Sequence, residues 1–349
     1  MIRIGVAGIG HMGKMHLLNL SKLKDVKLVG IADKSKKNRV LANHLGVEEV
    51  YTDYSDLFEK GKLDAVIISL PNFLHVDSVK LASENDIDIM IDKPLARSVK
   101  EAEEIVSSIN KNKTRLMVST NFRYFPHVQK IKNLVDSGTI GDVILVTIEH
   151  IMNGPWSHPL YPRYTPDWWF NKELIGGGTL LDHGWHTLDI FTWMFGSCDI
   201  KAVQLGFRYK LDFEDSSTLI VKSKSGTQGA INCGWFSHVI FPKLDFRVIA
   251  HGTTGFLNTD ELRPSSLYIH GAKEAILNFG RRIIGKPLDL LSYTYYFTSY
   301  ARILQVFLDC LKEGTEFPVS LDQQFEVQCS IEKAYQLYEK GCVLKGDGV

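Results

Sequence analysis

The stretch that decides the fold lies at the start of this 349-residue chain: Ile2–Ala7, followed by Gly8-Ile9-Gly10-His11-Met12-Gly13. A short β-branched run leads into a G-x-G-x-x-G turn and then into the helical pattern of residues 12–23. The first glycine of such a turn permits the tight bend, the second lets the backbone approach a pyrophosphate, and the third lets the helix pack closely on the strand. The first N–H groups of the helix would face the phosphates. The motif predicts a dinucleotide site, with a structural glycine turn as the alternative.

An acidic residue supports the dinucleotide interpretation. Asp33 follows the next apolar run, residues 26–32, and stands twenty positions beyond Gly13. A carboxylate there accepts hydrogen bonds from the adenosine ribose and repels a 2′-phosphate, so we expect NAD as the cofactor. Lys34, Lys36 and Lys37 crowd the same place and could bind that phosphate, which leaves NADP as the alternative.

Short β-branched runs alternate with amphipathic helical patterns over about the first 120 residues. The runs cover 2–7, 26–32, 65–70, 87–91 and 116–118, and the helical patterns cover 12–23, 38–44, 76–84 and 99–109. Ser98 and Glu101 form the capping-box pattern that starts the last of these helices. This alternation predicts a parallel sheet with helices on both faces, and hence an α/β dinucleotide-binding domain over residues 1–122.

The pattern changes in the remaining chain, for which we expect a second α/β domain over residues 123–349. We expect a helix from 126 to 137, a strand over 143–150, a polar and aromatic loop to 178, and an apolar helix over 179–195. Strand runs at 217–223, 228–236 and 244–251 follow one another through short turns, which predicts a large, mainly antiparallel open sheet. Helices are expected at 300–312 and 323–339, the last packing back on the first domain, while 272–300 has no clear pattern.

Composition restricts the partners. Forty Lys and Arg residues balance forty Asp and Glu residues, 44% of the chain is hydrophobic, and no uncharged apolar run approaches the length of a membrane span. A nucleic-acid-binding protein normally carries a basic excess, so neither a nucleic acid nor a membrane is expected as partner. The five cysteines are scattered without a C-x-x-C pair, and no signal peptide opens the chain, which favours a cytoplasmic protein that binds a small molecule.

Polar residues follow the later strands of the predicted parallel sheet, where open α/β sheets bind their ligands. The segments are residues 69–75, 92–94 and 121–124. The candidate cofactor contacts in them are Ser69, Leu70, Pro71, Asn72, His75, Asp92, Lys93 and Asn121. Taken singly, a solvated lysine and a histidine at the start of a helix are the alternatives for Lys93 and His75.

The glycine triplet 176–178 precedes a helix that carries Asp182, His186 and Asp189. Asp182 and His186 are four residues apart and share one helix face, so a carboxylate could support an imidazole acting as acid–base near neutral pH. The glycines would allow a ligand to approach closely. An ordinary surface pair with a solvated His183 is one alternative. A metal site is another, but it lacks a recognisable third ligand, and none is expected.

These motifs together resemble the glucose–fructose oxidoreductase / inositol dehydrogenase (Gfo/Idh/MocA) family of nicotinamide-dependent sugar and cyclitol oxidoreductases. The G-I-G-H-M-G loop, P-N-F-L-H, D-K-P and G-G-G-x-L-x-D-x-G-x-H occur in the family's order over nearly the whole chain. The resemblance implies a Rossmann domain and an α/β domain whose open sheet forms a homodimer or homotetramer interface. Runner-up functions are an NAD-dependent glycoside hydrolase of the same family and a non-catalytic cofactor or sugar sensor.

The resemblance also assigns roles by position. Lys93 matches the catalytic lysine, Asp182 the substrate-binding acid and His186 the proton-transfer histidine. Pro71, Asn72 and His75 match the strip beside the ribose and nicotinamide. Asp92 departs from the family, which usually has Glu there, so the reach of its carboxylate to the ribose or to Lys93 is in doubt. The expected reaction moves a hydride between a secondary alcohol and the nicotinamide.

Aromatic residues crowd the loop before the glycine triplet, and such faces suit the apolar side of a sugar or cyclitol ring. They are Trp156, Tyr161, Tyr164, Trp168 and Trp169, with His158, Arg163 and Asp167 between them. Packing of the loop on the sheet, or an oligomer contact, is an equal alternative. Candidate substrate contacts are Trp168, Arg123 and Tyr124, beside Lys93, Asp182 and His186.

Overall fold

Two six-stranded sheets build the protein, which we describe from a computed structural model. The structure describes residues 1–23, 26–155, 165–236, 245–262 and 295–341, with the short pieces 276, 279–280 and 283–284. No helix in these described residues is long and apolar enough to cross a membrane.

The first sheet is parallel throughout. Its strands are β1 (Ile2–Ala7), β2 (Val26–Ala32), β3 (Glu49–Tyr51), β4 (Ala65–Ile68), β5 (Asp88–Asp92) and β6 (Leu116–Ser119). They lie in the order β3-β2-β1-β4-β5-β6, which is the order of the Rossmann dinucleotide-binding fold. Its first, second and fourth to sixth strands fall on the predicted runs, whereas β3 has only three residues and was not predicted.

Helices cover both faces of this sheet. They are α1 (His11–Leu20), α2 (Lys36–His44), α3 (Tyr54–Lys60), α4 (His75–Glu84) and α5 (Val99–Asn112). The Ser98 hydroxyl oxygen accepts from the Glu101 N–H at 3.3 Å, so half of the predicted capping box forms. The Glu101 carboxylate instead binds the backbone N–H and the guanidinium of Arg97. The cap therefore holds, and the Glu101 side chain fastens the loop before the helix.

The second sheet is mixed, and its longest strand, β7, lies between β11 and β10. Its strands are β7 (Val143–Asn153), β8 (Cys198–Gly206), β9 (Ser216–Ser223), β10 (Gln228–Phe236), β11 (Asp245–Gly252) and β12 (Phe256–Asn258), in the order β12-β11-β7-β10-β9-β8. Every neighbouring pair is antiparallel except β7 with β10, which run parallel. The expected mainly antiparallel sheet is confirmed, with this one parallel pair added.

Helices after the first sheet join the two halves. They are α6 (Pro126–Asp136), α7 (Lys172–Ile175), α8 (Thr179–Phe195), α9 (Thr259–Leu262), α10 (Tyr295–Glu313) and α11 (Leu321–Glu339). The buried helix α8 packs on β7, β9 and β10, and α11 covers α8 and touches α5. Leu304 and Phe307 of α10 share a buried cluster with Met90 and Met117 of the first sheet. The chain thus returns to the parallel sheet before it ends.

Gly13 gives a test of this packing. A Cβ built there would lie 1.9 Å from the carbonyl oxygen of Gly8, so Gly13→Ala must push α1 away from the turn. We expect it to destabilise the fold by about 1–3 kcal/mol, seen as a lower Tm without any ligand. The neighbouring Lys14→Ala, also on α1, is the control and should leave Tm unchanged. Equal Tm values for the two variants would contradict the close contact.

Candidate active site

The glycine loop has the geometry that a dinucleotide requires. Gly8 has φ +85°, and a Cβ on it would lie 2.4 Å from the carbonyl oxygen of Ser69. Gly10 is exposed, and a Cβ there would meet no atom within 4 Å. Gly10 is also the N-cap of α1 and supplies no side-chain hydrogen bond to the first helical N–H groups. The loop is therefore closed towards the protein and open towards a phosphate.

Asp33 is held at the end of β2 by the glycine loop itself. Its Oδ2 accepts from the Ile9 N–H at 2.6 Å, and its Oδ1 accepts from the Ser35 N–H at 2.7 Å and from Asn38 at 3.2 Å. The flanking Lys34 is exposed. These bonds aim a fixed negative charge beside the loop, where the ribose of a dinucleotide would lie. His11 and Met12, at the start of α1, are half-buried.

The loop after β4 contacts the segment that precedes α8. Leu70, Pro71 and Asn72 are half-buried, and the Asn72 amide donates to the carbonyl oxygen of Ile175 at 3.1 Å. His75 is fully buried, with its Nδ1 3.0 Å from the Pro94 carbonyl oxygen and its Nε2 3.0 Å from that of Leu70. Burial lowers the pKa of His75. His75 therefore links the turn after Lys93 to the loop after β4 from within the protein interior.

Asn121 lies deeper than predicted. It is buried, and its amide donates to the Ser299 hydroxyl of α10 at 2.9 Å. Its Oδ1 has no hydrogen-bond partner within the described part of the chain. A buried acceptor without a donor is destabilising. The Oδ1 of Asn121 is therefore available to accept a hydrogen bond at the carboxyl edge of the sheet.

The side chains of the neighbours Asp92 and Lys93 have different partners. The Asp92 carboxylate accepts from the Ser69 hydroxyl at 2.5 Å and lies 3.2 Å from Nε2 of His16. Burial opposes its charge, but His16 and Ser69 hold the pKa of Asp92 below its usual value. The Lys93 ammonium points the other way and pairs with the Asp182 carboxylate on α8. Within the described residues no hydrogen bond or ion pair joins Asp92 to Lys93, and the reach of Asp92 to a ribose stays a prediction.

Asp182 is the centre of the cluster. It accepts from Lys93 through its carboxylate and, at 3.1 Å, through its backbone carbonyl oxygen. Its Oδ2 lies 3.3 Å from Nε2 of His183, and the Trp235 side chain is a further hydrogen-bond donor. Burial opposes ionisation, but Lys93 and His183 keep the pKa of Asp182 below its usual value. Lys93 and Trp235 donate to this carboxylate, His183 lies at ion-pair distance, and no contact joins it to His186 within the described residues.

His186 is placed by stacking instead of by a carboxylate. Its ring lies parallel to that of Phe122, with centroids 3.9 Å apart and planes at 10°. Burial, with the charge of Lys93 nearby, lowers the pKa of His186 well below its usual value. Its Nδ1 has no partner in the described ranges. A neutral, rigidly held imidazole next to a lysine can accept a proton from a hydroxyl group.

Two further histidines join the cluster without having been predicted. The His183 ring stacks on His150 of β7 with centroids 4.1 Å apart, and His150 meets His186 at 5.5 Å. Burial lowers the pKa of His183 to about 4 and that of His150 well below its usual value. His183 was expected to be solvated if the helix pair were ordinary, and it is buried. The signal for His150 was a histidine at an inward position of a strand, which alone does not indicate a site.

Arg123, Tyr124 and Asp189 lie away from this cluster. Arg123 is 2% exposed and makes a bidentate ion pair with Asp189, at 2.6 and 2.9 Å, and a further bond to Gln323. Asp189, expected behind His186, is thus the partner of Arg123. Tyr124 packs with the α10 cluster, and burial raises its pKa to about 12. The turn that carries these residues enters the interior because both charges find their complement there.

Trp168 lies where the loops of the two sheets meet. It packs edge-on against Phe73, with centroids 5.9 Å apart, and lies next to Trp169 at 6.1 Å. The other predicted aromatics Trp156, Tyr161 and Tyr164, with His158 and Arg163, lie outside the described residues. Trp168 is half-buried and remains a candidate wall of the substrate space.

The glycine triplet serves the protein's own packing. A Cβ on Gly176, Gly177 or Gly178 would lie 2.7 Å from Arg97, 2.3 Å from Tyr335 and 1.9 Å from Glu214, respectively. The buried Glu214 accepts from the N–H groups of Gly178 and Leu180 at the start of α8, and from the Tyr335 hydroxyl. Burial raises the pKa of Glu214. The close approach predicted for a ligand is made here by protein atoms, which hold the helix that carries Asp182.

No group of three or more metal-ligating side chains occurs among the described residues. The lysine, carboxylate and imidazoles of the cluster can donate and accept hydrogen bonds and protons.

A parallel sheet in this strand order, an open glycine loop and a lysine–histidine–carboxylate cluster at its carboxyl edge define a Rossmann-fold oxidoreductase. Residues 2–120 match the oxidoreductase family with an NAD-binding Rossmann fold, and residues 128–258 match the GFO/IDH/MocA C-terminal domain. The chain belongs to the Gfo/Idh/MocA family, and it is an oxidoreductase.

Inositol dehydrogenases align with this chain over most of their length. The myo-inositol 2-dehydrogenase of Thermotoga maritima is 25% identical over 332 residues, covering 91% of each chain. The NAD⁺-dependent scyllo-inositol 2-dehydrogenase of Bacillus subtilis is 25% identical over 345 residues, covering 95% of this chain and 92% of its own. The crystal structure of Lactobacillus casei scyllo-inositol dehydrogenase with NAD(H) and scyllo-inositol has a TM-score of 0.77 at 19% identity, covering 98% and 97% of the two chains. At that identity the structure shows a shared fold.

The buried histidines predict a specific loss of stability in acid. His183 has a pKa of about 4 in the folded protein, against about 6.5 when unfolded. Its contribution to stability is therefore complete above pH 6.5 and is lost as the pH falls towards 4, because the unfolded chain takes up the proton first. At pH 5 we expect His183 alone to cost about 2 kcal/mol of the free energy of unfolding.

Urea unfolding of the wild type and of His183→Gln at pH 7.5 and pH 5.0 measures this effect. The variant should lose less stability than the wild type between the two values, while the exposed-site control His44→Gln should match the wild type. An unchanged pH dependence in His183→Gln would show that His183 is not buried in its neutral form.

Proposed function

We propose that this chain is an NAD-dependent dehydrogenase acting on a secondary alcohol of a sugar, a sugar derivative or a cyclitol. The observation that carries the proposal is the neutral His186 next to the ion-paired Lys93, at the edge of the sheet that holds the glycine loop. The names of the inositol dehydrogenase relatives support a polyhydroxylated ring as substrate. The cofactor, when bound, supplies the acceptor for the hydride of the alcohol carbon.

The protein's own residues handle the hydroxyl proton and the charge on oxygen. His186 takes the proton, since burial keeps its imidazole neutral at pH 7. Lys93 donates a hydrogen bond to the same oxygen as negative charge develops there and stabilises it. Asp182 holds the ammonium of Lys93 in place, and its remaining acceptor capacity can orient a neighbouring hydroxyl of the ring. Trp168 supplies an apolar face beside this polar group.

Reduction of NAD and of NADP over a panel of sugars, cyclitols and sugar derivatives tests the function. We expect stoichiometric NADH formation with at least one polyhydroxylated ring. His186→Ala should lower kcat/KM for that substrate by about 10²–10⁴-fold, since it removes the base. His44→Ala, at an exposed helix position, is the matched control and should behave as the wild type.

The alternatives give different results in the same panel. Release of an aglycone from a glycoside without net NADH formation would favour the NAD-dependent glycoside hydrolase. Binding of NADH without turnover of any compound would favour the sensor. Full activity of His186→Ala would reject the assigned base.

Asp33 underlies the preference for NAD. Asp33→Asn keeps the size and one acceptor oxygen but removes the charge that repels a 2′-phosphate, while Lys34 remains to attract one. We expect the ratio of NAD affinity to NADP affinity to fall by about tenfold, which is about 1.4 kcal/mol. Fluorescence titration with NADH and NADPH measures it, with Asp56→Asn of α3 as control. An unchanged ratio would remove Asp33 from cofactor discrimination.

We also infer that copies of the chain associate through the outer face of the second sheet, as a homodimer or homotetramer. The register sets Ile220, Ala230, Thr147 and Ile249 side by side across four strands, and Ile220 is 37% exposed. Such an uncharged row on one face is typical of a subunit contact.

Ile220→Lys should break this contact and lower the mass in solution. Val40→Lys changes an apolar residue on α2 that is 44% exposed and should leave the mass unchanged. Sedimentation equilibrium measures the mass of each protein in solution. A monomeric wild type, or an oligomer that both variants retain, would reject the interface.

A further inference from the structure

The carboxylate of Asp92 has two protein donors that do not belong to the catalytic cluster. Ser69, from the loop after β4, donates to its Oδ2 at 2.5 Å, and Nε2 of His16 lies 3.2 Å from its Oδ1. The two donors come from different elements, and each faces one oxygen. Because Asp92 directly precedes Lys93, these two donors anchor one end of the turn that presents Lys93 to Asp182.

His16 stands on the helix that begins at the glycine loop. It follows Gly13 by three residues, and its side chain is completely buried. Its Nε2 faces Asp92, its ring meets the Tyr300 ring edge-on at 5.9 Å, and its Nδ1 has no partner within the described ranges. Donation from Nε2 satisfies Asp92, while the second ring nitrogen has no partner within the described residues. The bond to Asp92 is therefore the one polar contact among the described residues that accounts for a histidine at this position.

Ser69 ties the same carboxylate to the loop directly. The carbonyl oxygen of Ser69 lies 2.4 Å from the position that a Cβ on Gly8 would take, and its own Cβ lies 3.3 Å from that of a residue replacing Gly13. Asp92 thus lies immediately behind the glycine loop. Its charge survives burial because His16 and Ser69 hold it.

We propose that His16 is a positioning residue for the dinucleotide: by donating to Asp92 it fixes the carboxylate behind the glycine loop and so couples α1 to the turn that carries Lys93. The proposal rests on the dinucleotide site assigned above and not on the substrate. Without this bond a buried charge loses one of its two donors, and the carboxylate turns towards the space in which the cofactor binds. Cofactor affinity therefore depends on a residue that faces the interior.

NADH binding, followed by fluorescence titration without any substrate, is the direct test. His16→Leu removes the donor and keeps an apolar side chain, and we expect its Kd for NADH to rise by about 10- to 100-fold, the size of a lost hydrogen bond to a charged group. His16→Gln places an amide nitrogen near the position of Nε2, and its Kd should stay within about threefold of the wild type. His44→Leu on α2, an exposed position, is the matched control and should leave Kd unchanged.

The variants separate positioning from simple core packing. A folded His16→Leu protein with the wild-type Kd, or a His16→Gln protein as weak as His16→Leu, would overturn the proposal. If His16→Leu does not fold, His16→Asn replaces it, because its shorter amide stops short of Asp92; equal Kd values for the Asn and Gln variants would overturn the proposal. A wild-type protein that does not bind NADH at all would refute the dinucleotide site itself, a different failure.

Discussion

The ion pair of Lys93 with Asp182 holds the functional part of the protein together. It joins the carboxyl edge of the parallel sheet to the first turn of α8, and about four fifths of each side chain is buried. A charge in such a place needs its partner, because an unpaired buried charge is strongly destabilising. The ion pair therefore ties the two sheets together at this point.

Each end of the pair has its own support. His75 bonds the turn after Lys93, and the Asn72 amide reaches across to the segment before α8. On the other side Glu214 binds the first N–H groups of α8. These supports lie in the interior, so a rigid shell of protein hydrogen bonds surrounds a small group of reactive side chains.

Burial keeps three imidazoles near Lys93 and Asp182 neutral. His150, His183 and His186 lie within one aromatic cluster, in which His150 stacks on His183 and meets His186 edge-on, and burial is the main cause of the lowered pKa of each. The nearby Lys93 acts in the same direction. The three rings are thus neutral at pH 7, and the fold loses stability when they are forced to take up protons.

Sequence patterns predicted those features that depend only on a short segment of the chain. The strands β1 and β2 and the helix α8 have the predicted limits, because β-branched runs and helical periodicity are properties of short segments. The glycine turn after β1 and the position of Asp33 at the end of β2 were also readable, since each belongs to a motif with its own geometry. The three-residue strand β3 escaped because it is too short to show a period.

What only the tertiary structure decided concerns partners distant in the chain. Asp182 and His186 share a helix face, yet the carboxylate binds Lys93, 89 residues away, and the imidazole stacks on Phe122. Arg123 found Asp189 in the interior, and His150 came to the site through the parallel pairing of β7 with β10. The sequence by itself determined which chemical groups are present and on which elements they stand. Which group meets which depended on burial, because a buried charge or ring takes the complement that the packed fold brings to it.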